Sequence, residues 1–299
     1  MKKFVIVTDS CSDLDKTLRD QFDIDYIPMH VNFNGKEYDA DLDYKEISLE
    51  DYYDLMKQGV RIKTAQINQN EYIPFFEKFV SEGLDVLYIA CSSALSHSVE
   101  ESRKAAENLM GKYKDSKIIC VDSLTACFGL GMLCIRASEL RAEGKSIEET
   151  AKWIDENKLT INQECTVETL KYLKQAGRVS AASAFFGGLL SVKPIIISDA
   201  SGINAAVEKV KGRMNSINRL VERFKEEYKS LPYQRVRVVH GDSIADGQLL
   251  LEKIKEAIPD KNVEVTLGNI GPIVGATTGP GTLAVYFYGK EVTYDSRVK

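Results

Sequence analysis

Val86–Ser98 reads VLYIACSSALSHS, and the order of residue types within it decides the fold. A short apolar run, rich in β-branched and aromatic residues, reads as a buried strand. A hydroxyl-rich turn follows. Leu95, Val99, Ala106 and Leu109/Met110 then recur at the spacing of one helix face. Ser92, Ser93, Ser96 and Ser98 therefore fall where a buried strand passes into a helix N-terminus. Such a point offers unpaired backbone N–H groups and the positive end of a helix dipole. It is a natural seat for a carboxylate or phosphate. One serine there is explained as an ordinary N-cap; four serines within Ser92–Ser98 exceed what capping needs.

Outward from this stretch, strands and helices alternate through the first half of the chain. Phe4–Thr8 is a β-branched strand ending in Thr8-Asp9-Ser10, and a helix is expected over Leu14–Phe22. Tyr26–Phe33 reads as one strand closed by an Asn34-Gly35 turn. Acidic Asp39–Asp51 leads to a helix carrying Tyr52, Leu55 and Met56. Lys63-Thr64-Ala65-Gln66 reads as a loop before a helix over Tyr72–Val80. Past the opening stretch, Lys117–Val121 is a strand ending in Asp122-Ser123, and helices cover Gly129–Glu143 and Ile147–Asn157. This alternation predicts an α/β domain with a doubly wound parallel sheet, in which ligands bind beyond the carboxyl ends of the strands. Three turns lie there: Asp9-Ser10, Ser92–Ser96 and Asp122-Ser123.

From about Thr160 the texture changes. Val167–Ala176 reads as a helix closed by Gly177-Arg178, and Phe185–Leu190 is apolar and glycine-bearing. Lys193–Ser198 and Ile203–Val210 flank Asp199–Gly202 as a hairpin. A basic helix (Arg213–Lys229), strand Arg235–His240, helix Ile244–Ala257, strand Val263–Leu267 and a glycine-rich final section follow. The division expected is residues 1–158, an N-terminal parallel-sheet α/β domain, and 159–299, a C-terminal mixed-sheet α/β domain.

Composition excludes several function classes. The chain has 299 residues, 44% of them hydrophobic and 28% charged, as soluble globular proteins do. Its net charge of −5 and pI near 5.5 argue against a general binder of nucleic acid or anionic membranes. The start, MKKFVIVTDSCSD, turns polar and acidic too soon for a signal peptide, and no apolar run nears the roughly 20 residues that span a bilayer. A cytoplasmic location without membrane insertion is expected. The six cysteines (Cys11, Cys91, Cys120, Cys127, Cys134, Cys165) show no CxxC spacing and read as buried free thiols in a reducing compartment.

Familiar catalytic signatures are missing. Gly144-Lys145-Ser146 has the tail of a P-loop, but Glu139 stands where the first glycine belongs. Gly129-Leu130-Gly131 has Cys134 in place of the third dinucleotide-loop glycine. There is no GxSxG elbow, and three histidines (His30, His97, His240) leave little for a metal site or triad. No metal, no cofactor and no catalytic residue is expected. What remains is hydroxyl groups: Thr64 in its pre-helix loop, the serines of the opening stretch, and Thr277 and Thr278 within Gly275–Gly281. Three glycines in that last segment suit a close approach of backbone to ligand or an ordinary turn. Arg178, Lys193, Lys209, Lys211 and Arg213 cluster in sequence and suit solvent, an acidic partner or a phosphate.

These residues together carry a resemblance. Thr8-Asp9-Ser10 with Asp13-Leu14, Thr64-Ala65-Gln66 (like T-S-Q), Ser92-Ser93-Ala94-Leu95-Ser96 (like S-S-x-L-S-G-T), Val121-Asp122-Ser123, Thr169–Leu173 with Gly177-Arg178, Leu189–Pro194, Lys209-Val210 and Gly279-Pro280-Gly281 occur in order. In this the chain resembles the DegV family of bacterial fatty-acid-binding proteins, carrier subunits of fatty acid kinase. The resemblance implies the two-domain EDD fold of that family, with a long-chain fatty acid buried in a tunnel that the C-terminal domain closes. It places the carboxylate on Thr64 and Ser96, with Ser92, Ser93, His97, Thr277 and Thr278 nearby, and it offers Arg178 and Lys211 for contact with a partner or phosphate. The partner implied is a separate ATP-dependent kinase that phosphorylates the presented carboxyl group. The chain would be a carrier and not an enzyme.

Three positions depart from the family pattern. His97 stands where L-S-G-T has glycine, Thr277 replaces a histidine before the last glycine-rich turn, and Lys211 stands where arginine is preferred. His97 and Thr277 are expected to be a compensating exchange that moves an imidazole across the carboxylate pocket. Two other functions fit the residues less fully: a transferase or kinase-like subunit acting on a small polar metabolite, and an interaction module with a vestigial pocket.

Overall fold

The computed structural model describes residues 3–180 and 192–298, and every count below is of those residues. Two compact units emerge. The first comprises Met1–Glu46 with Thr64–Lys158, the second Ile47–Lys63 with Leu159–Lys299. Residues 47–63, read from sequence as part of the first domain, cluster instead with the second unit.

In the first unit, strands β1 (Phe4–Asp9) and β2 (Ile24–Ile27) precede β3 (His30–Phe33), β4 (Lys36–Asp39) and β5 (Lys63–Ala65). Strands β6 (Asp85–Ala90) and β7 (Ile118–Asp122) follow. Four of them form an all-parallel sheet in the order β2-β1-β6-β7, while β4-β3-β5 make a small separate sheet. All six residues of β6 are buried, which is why its sequence shows no alternation. Helices α1 (Lys16–Phe22), α3 (Gln69–Val80), α4 (Ser98–Lys112), α5 (Cys127–Ala142) and α6 (Ile147–Asn157) belong to this unit; α2 (Leu49–Lys57) belongs to the second. Asn68 and Ser146 start α3 and α6 with reciprocal capping boxes through Glu71 and Glu149.

The expected single strand Tyr26–Phe33 is two strands in two sheets. Pro28 lies between them, and its missing N–H ends ladder pairing there. The Asn34-Gly35 turn joins β3 to β4, with both residues at positive φ (51° and 77°), as a two-residue hairpin requires.

In the second unit seven strands form one mixed sheet, β13-β12-β14-β8-β10-β11-β9. They are β8 (Ile161–Thr166), β9 (Val179–Ser180), β10 (Val192–Ser198), β11 (Asn204–Lys211), β12 (Val236–His240), β13 (Val265–Asn269) and β14 (Leu283–Tyr288). Its helices are α2, α7 (Lys171–Ala176), α8 (Arg213–Glu227), α9 (Ile244–Ala257) and α10 (Pro272–Thr278). The hairpin around Asp199–Gly202 is present between β10 and β11. Ile217, Leu220 and Phe224 of α8 and Leu250 and Ile254 of α9 pack on Val236, Val238, Val285 and Phe287. Strand β8, at the sheet's centre, is not apparent from sequence because Asn162, Gln163 and Glu164 interrupt its apolar pattern. Each is internally satisfied. Asn162 donates to the Lys290 carbonyl, Gln163 accepts from Tyr286, and Glu164 pairs with Arg223.

The six cysteines are free thiols, five of them buried. Burial pushes the Cys134 and Cys165 thiols up to about 12, which keeps them neutral and unreactive.

Phe224 is fully buried with its ring 4.8 Å from that of Phe287. Phe224→Ala is expected to lower unfolding free energy by about 3–5 kcal/mol in urea titrations. Met214→Ala, on the same helix but 52% exposed, should change it by no more than about 0.5 kcal/mol. Equal effects at the two positions would contradict this packing.

Candidate functional site

The carboxyl end of β6 is gripped from both neighbouring strands. Asp9, at the end of β1, accepts the Cys91 N–H at 2.9 Å. Asp122, at the end of β7, accepts the Ser93 N–H at 3.1 Å, and the Ser92 N–H reaches the Thr125 carbonyl at 2.9 Å. The three turns marked from sequence thus meet at adjacent strand ends, where the order β2-β1-β6-β7 puts them.

Asp9 is fully buried, and its two oxygens also accept the Cys11 N–H at 2.9 Å and the Tyr88 hydroxyl at 3.0 Å. Burial pushes its carboxyl up to about 6, while these three donors pull the other way. Beyond Tyr88 the hydrogen bonding continues. Tyr88 and Tyr72 share a bond of 2.7 Å, and separately Ser98 Oγ lies 2.9 Å from Ser96 Oγ. Both tyrosines and Ser98 are buried, and Ser96 is half-buried. The buried carboxyl is thus bonded to a pair of buried tyrosines, and the serine turn has its own hydroxyl pair, one member of which meets solvent.

The serine turn differs from a free helix N-terminus. Helix α4 begins at Ser98 with His97 as its N-cap residue, so Ser96 precedes the helix instead of opening it. The amides of the turn are occupied: Ala94 donates to Ser92 Oγ, Leu95 and Ser96 to the Ser92 carbonyl, and Ser98 to Ser96 Oγ. Glu100 and Glu101 stand in the first helical turn, where their charge opposes a second anion. What the turn offers a carboxylate is a hydroxyl. Ser92 is fully buried and its hydroxyl oxygen braces the turn, whereas half-buried Ser93 is tied through its backbone to Asp122. His97 is exposed and its side chain makes no cap bond, so nothing holds the ring on Ser96.

Thr64 is exposed, but not in a loop. It lies in strand β5, and Asn68, not Thr64, caps the following helix. The Gln69 N–H donates to Glu101 at 3.1 Å. This bond ties the start of α3 to the first turn of α4.

In the second unit Thr277 and Thr278 sit in the last turn of α10, where each hydroxyl donates to a helix carbonyl four residues back, Ile273 and Val274. The glycines around them are explained by packing within the unit. A Cβ at Gly275 would strike the Tyr53 hydroxyl, one at Gly279 the Tyr172 ring, and one at Gly281 the Glu168 side chain.

Arg178 and Lys211 do not converge. The Arg178 carbonyl accepts from Asn204 at the start of β11, and Lys211 is its last residue, seven steps or roughly 23 Å further along. Lys193 and Arg213 are paired within the unit, with Glu168 and Asp246 respectively. The apolar, glycine-bearing Phe185–Leu190 and the motif residues Leu189, Leu190 and Ser191 lie outside the described residues.

The sequence reading missed Tyr72, Tyr88 and the role of Asp9. A phenolic hydroxyl inside an otherwise apolar strand was the available signal, since a buried Tyr O–H needs a partner.

Comparison with known proteins places this geometry in a family. The chain is 37% identical over 289 residues to a DegV domain-containing protein of Clostridium perfringens, covering 97% of this chain and 98% of that one. It is 31% identical over 288 residues to another from Streptococcus pyogenes, covering 96% and 98%. Solved structures with the same fold include a DegV family protein of Thermus thermophilus described for fatty acid binding, with TM-score 0.84, 26% identity, and coverage of 97% of this chain and 100% of that one. DegV of Bacillus subtilis, described as a fatty acid binding protein, matches with TM-score 0.81 at 27% identity and the same coverage. The model of the DegV family, described as "Uncharacterised protein, DegV family", matches residues 3–290, and the chain belongs to that family.

Proposed function

We propose that this protein binds a long-chain fatty acid and holds its carboxylate at Ser96 and Thr64. The observation that carries the reading is the half-buried Ser96 hydroxyl, at the strand–helix turn of a fold whose solved neighbours from Thermus thermophilus and Bacillus subtilis are described as binding fatty acids. Ser96 is braced by Ser98, and exposed Thr64 stands in the strand leading to α3. Both are hydroxyls able to donate to a carboxylate. Their amide neighbours are engaged elsewhere, so the side chains define the contact.

The energetics divide the work. Burying about 16 carbons at roughly 0.8 kcal/mol per CH₂ supplies on the order of 12 kcal/mol of gross driving force, from which ordering costs are subtracted. A hydrogen bond to a charged group contributes about 1.5–3 kcal/mol. The acyl chain supplies affinity, and the hydroxyls fix which end is presented. Presentation to a separate kinase that phosphorylates the carboxyl group, with this chain as a carrier without catalytic residues in the cytoplasm, completes the reading. The DegV family match over residues 3–290, with its fatty-acid-binding neighbours, supports the binding step of this reading.

Organic extraction of the purified protein followed by mass spectrometry is expected to release a long-chain acid. Recovery of none, with no uptake of added palmitate or oleate, would overturn the reading.

Ser96→Ala is expected to weaken fatty acid binding about 10- to 100-fold with thermal stability unchanged, and Thr64→Ala to weaken it in the same sense. Ser92→Ala, which removes the acceptor for the Ala94 N–H, should do the reverse and lower stability by about 1 kcal/mol while leaving the acid bound. Binding that survives in the Ser96→Ala, Thr64→Ala double variant would reject these residues as the carboxylate site.

A further inference from the structure

Arg213 is the first residue of α8, and only one edge of its guanidinium is used. Asp246, in the first turn of α9, accepts from Nε at 2.9 Å. The same carboxylate oxygen takes the Ser243 hydroxyl at 3.1 Å, which holds the acceptor in place. The two terminal nitrogens, Nη1 and Nη2, are buried, and neither has a hydrogen-bond partner among the described residues. Glu168 Oε2 stands 4.0 Å from Nη1, which is an ion pair but too long for a hydrogen bond. Buried charged donors left unused are costly and call for an explanation. A planar guanidinium anchored through Nε and open along its Nη edge is shaped to take two oxygens of one anion.

Three further features gather at the same end of the seven-stranded sheet. The Lys193 side chain is only 7% exposed, and its Nζ donates to both the carbonyl and the carboxylate of Glu168. One carboxylate therefore lies between two cations. Thr166 is fully buried, and its hydroxyl also lacks a partner among the described residues. It stands opposite Ile195 in the ladder between β8 and β10. Thr166, Ile195 and, two residues back, Lys193 consequently face one side of the sheet, the side on which α8 packs. Finally, the 15-residue α8 begins after Gly212 with no side chain capping it and no acidic residue in its first turn. In this it is the opposite of α4, whose first turn holds Glu100 and Glu101.

The two carboxylates of the cluster differ in how firmly they are held. Asp246 is tied to Nε and to Ser243, and it balances one cation permanently. Glu168 balances the other, yet its side chain is 51% exposed and does not hydrogen-bond the Nη edge. If that carboxylate swings into solvent, Lys193 keeps its bond to the Glu168 carbonyl at 2.9 Å, and Arg213 keeps Asp246. Both cations then stay in place with their free donors uncovered.

We propose that Arg213, Lys193 and the N-terminus of α8 form a phosphate-binding site, in which the Glu168 carboxylate is a resident stand-in that an entering phosphate displaces. A tetrahedral dianion can span donors that lie in different directions, namely the Nη edge, Nζ and the first amides of α8, and it brings more charge than the carboxylate it replaces. Every residue named belongs to the second unit, and the site does not depend on how Ser96 is used.

Isothermal titration of the full chain with inorganic phosphate, and separately with phenyl phosphate, tests this at constant ionic strength. Wild type should bind weakly, because Glu168 must be displaced. Glu168→Ala, at an exposed position, should bind about tenfold tighter, because the competing charge is gone. Arg213→Met should abolish binding, and Lys193→Met should weaken it about tenfold or more. The Glu168→Ala variant keeps the test valid if Arg213→Met, which strands Asp246, does not fold. Binding of inorganic phosphate alone identifies the free ion as the ligand, and binding of phenyl phosphate as well identifies a phosphate monoester; either supports the site. Three results would overturn it: neither probe binding to Glu168→Ala, Glu168→Ala binding no tighter than wild type, or binding unchanged in both Arg213→Met and Lys193→Met.

Discussion

The grip of Asp9 and Asp122 on the exit of β6 is the constraint from which the first unit's geometry follows. A parallel strand that ends without a partner leaves amides that water or side chains must satisfy. Here carboxylates from both adjacent strands take the Cys91 and Ser93 N–H groups, and the Thr125 carbonyl takes that of Ser92. Three successive amides are fixed, so the path of the chain toward Ser96 is fixed as well. Helix α4 then starts where that path delivers it.

The constraint also leaves a hydroxyl, rather than a helix dipole, as the group this turn has to offer. With the amides occupied and Glu100 and Glu101 in the first turn, the helix end is electrostatically unhelpful to an anion. A serine hydroxyl is weaker than a guanidinium but adapts by rotating about one bond. Where an apolar tail supplies most of a ligand's binding energy, a head-group contact need only orient.

Much of this was legible in the sequence. The strand–turn–helix of Val86–Ser98, the two α/β domains and the meeting of three acid and hydroxyl turns all follow from periodicity and from the rule for ligands in parallel sheets. What was not legible depends on contacts between distant residues. Residues 47–63 cluster with a unit whose remainder begins at Leu159, and nothing local to Tyr52 or Tyr53 announces hydrogen bonds to the carbonyls of Pro272 and Ile270. Nothing local announces that Tyr53, Tyr172 and Glu168 pack where a Cβ at Gly275, Gly279 or Gly281 would lie. Arg178 and Lys211 read as members of one basic cluster, but Arg178 lies beside the first residue of β11 and Lys211 is its last.

The two units also show why buried polarity alone does not mark a site. Strand β8 carries Asn162, Gln163 and Glu164 in the middle of a sheet, yet each is closed within the unit by Lys290, Tyr286 or Arg223. Removing any of them would cost stability, because a desolvated partner would be stranded. The hydroxyls of the serine turn are similar groups in a different setting. Ser96 is half-buried, with its Oγ 2.9 Å from that of Ser98. A polar network closed within the fold has nothing further to bind, whereas a hydroxyl that meets solvent keeps a valence open. By that criterion the polar residues of β8 are architecture, and the serine turn is not closed in the same way.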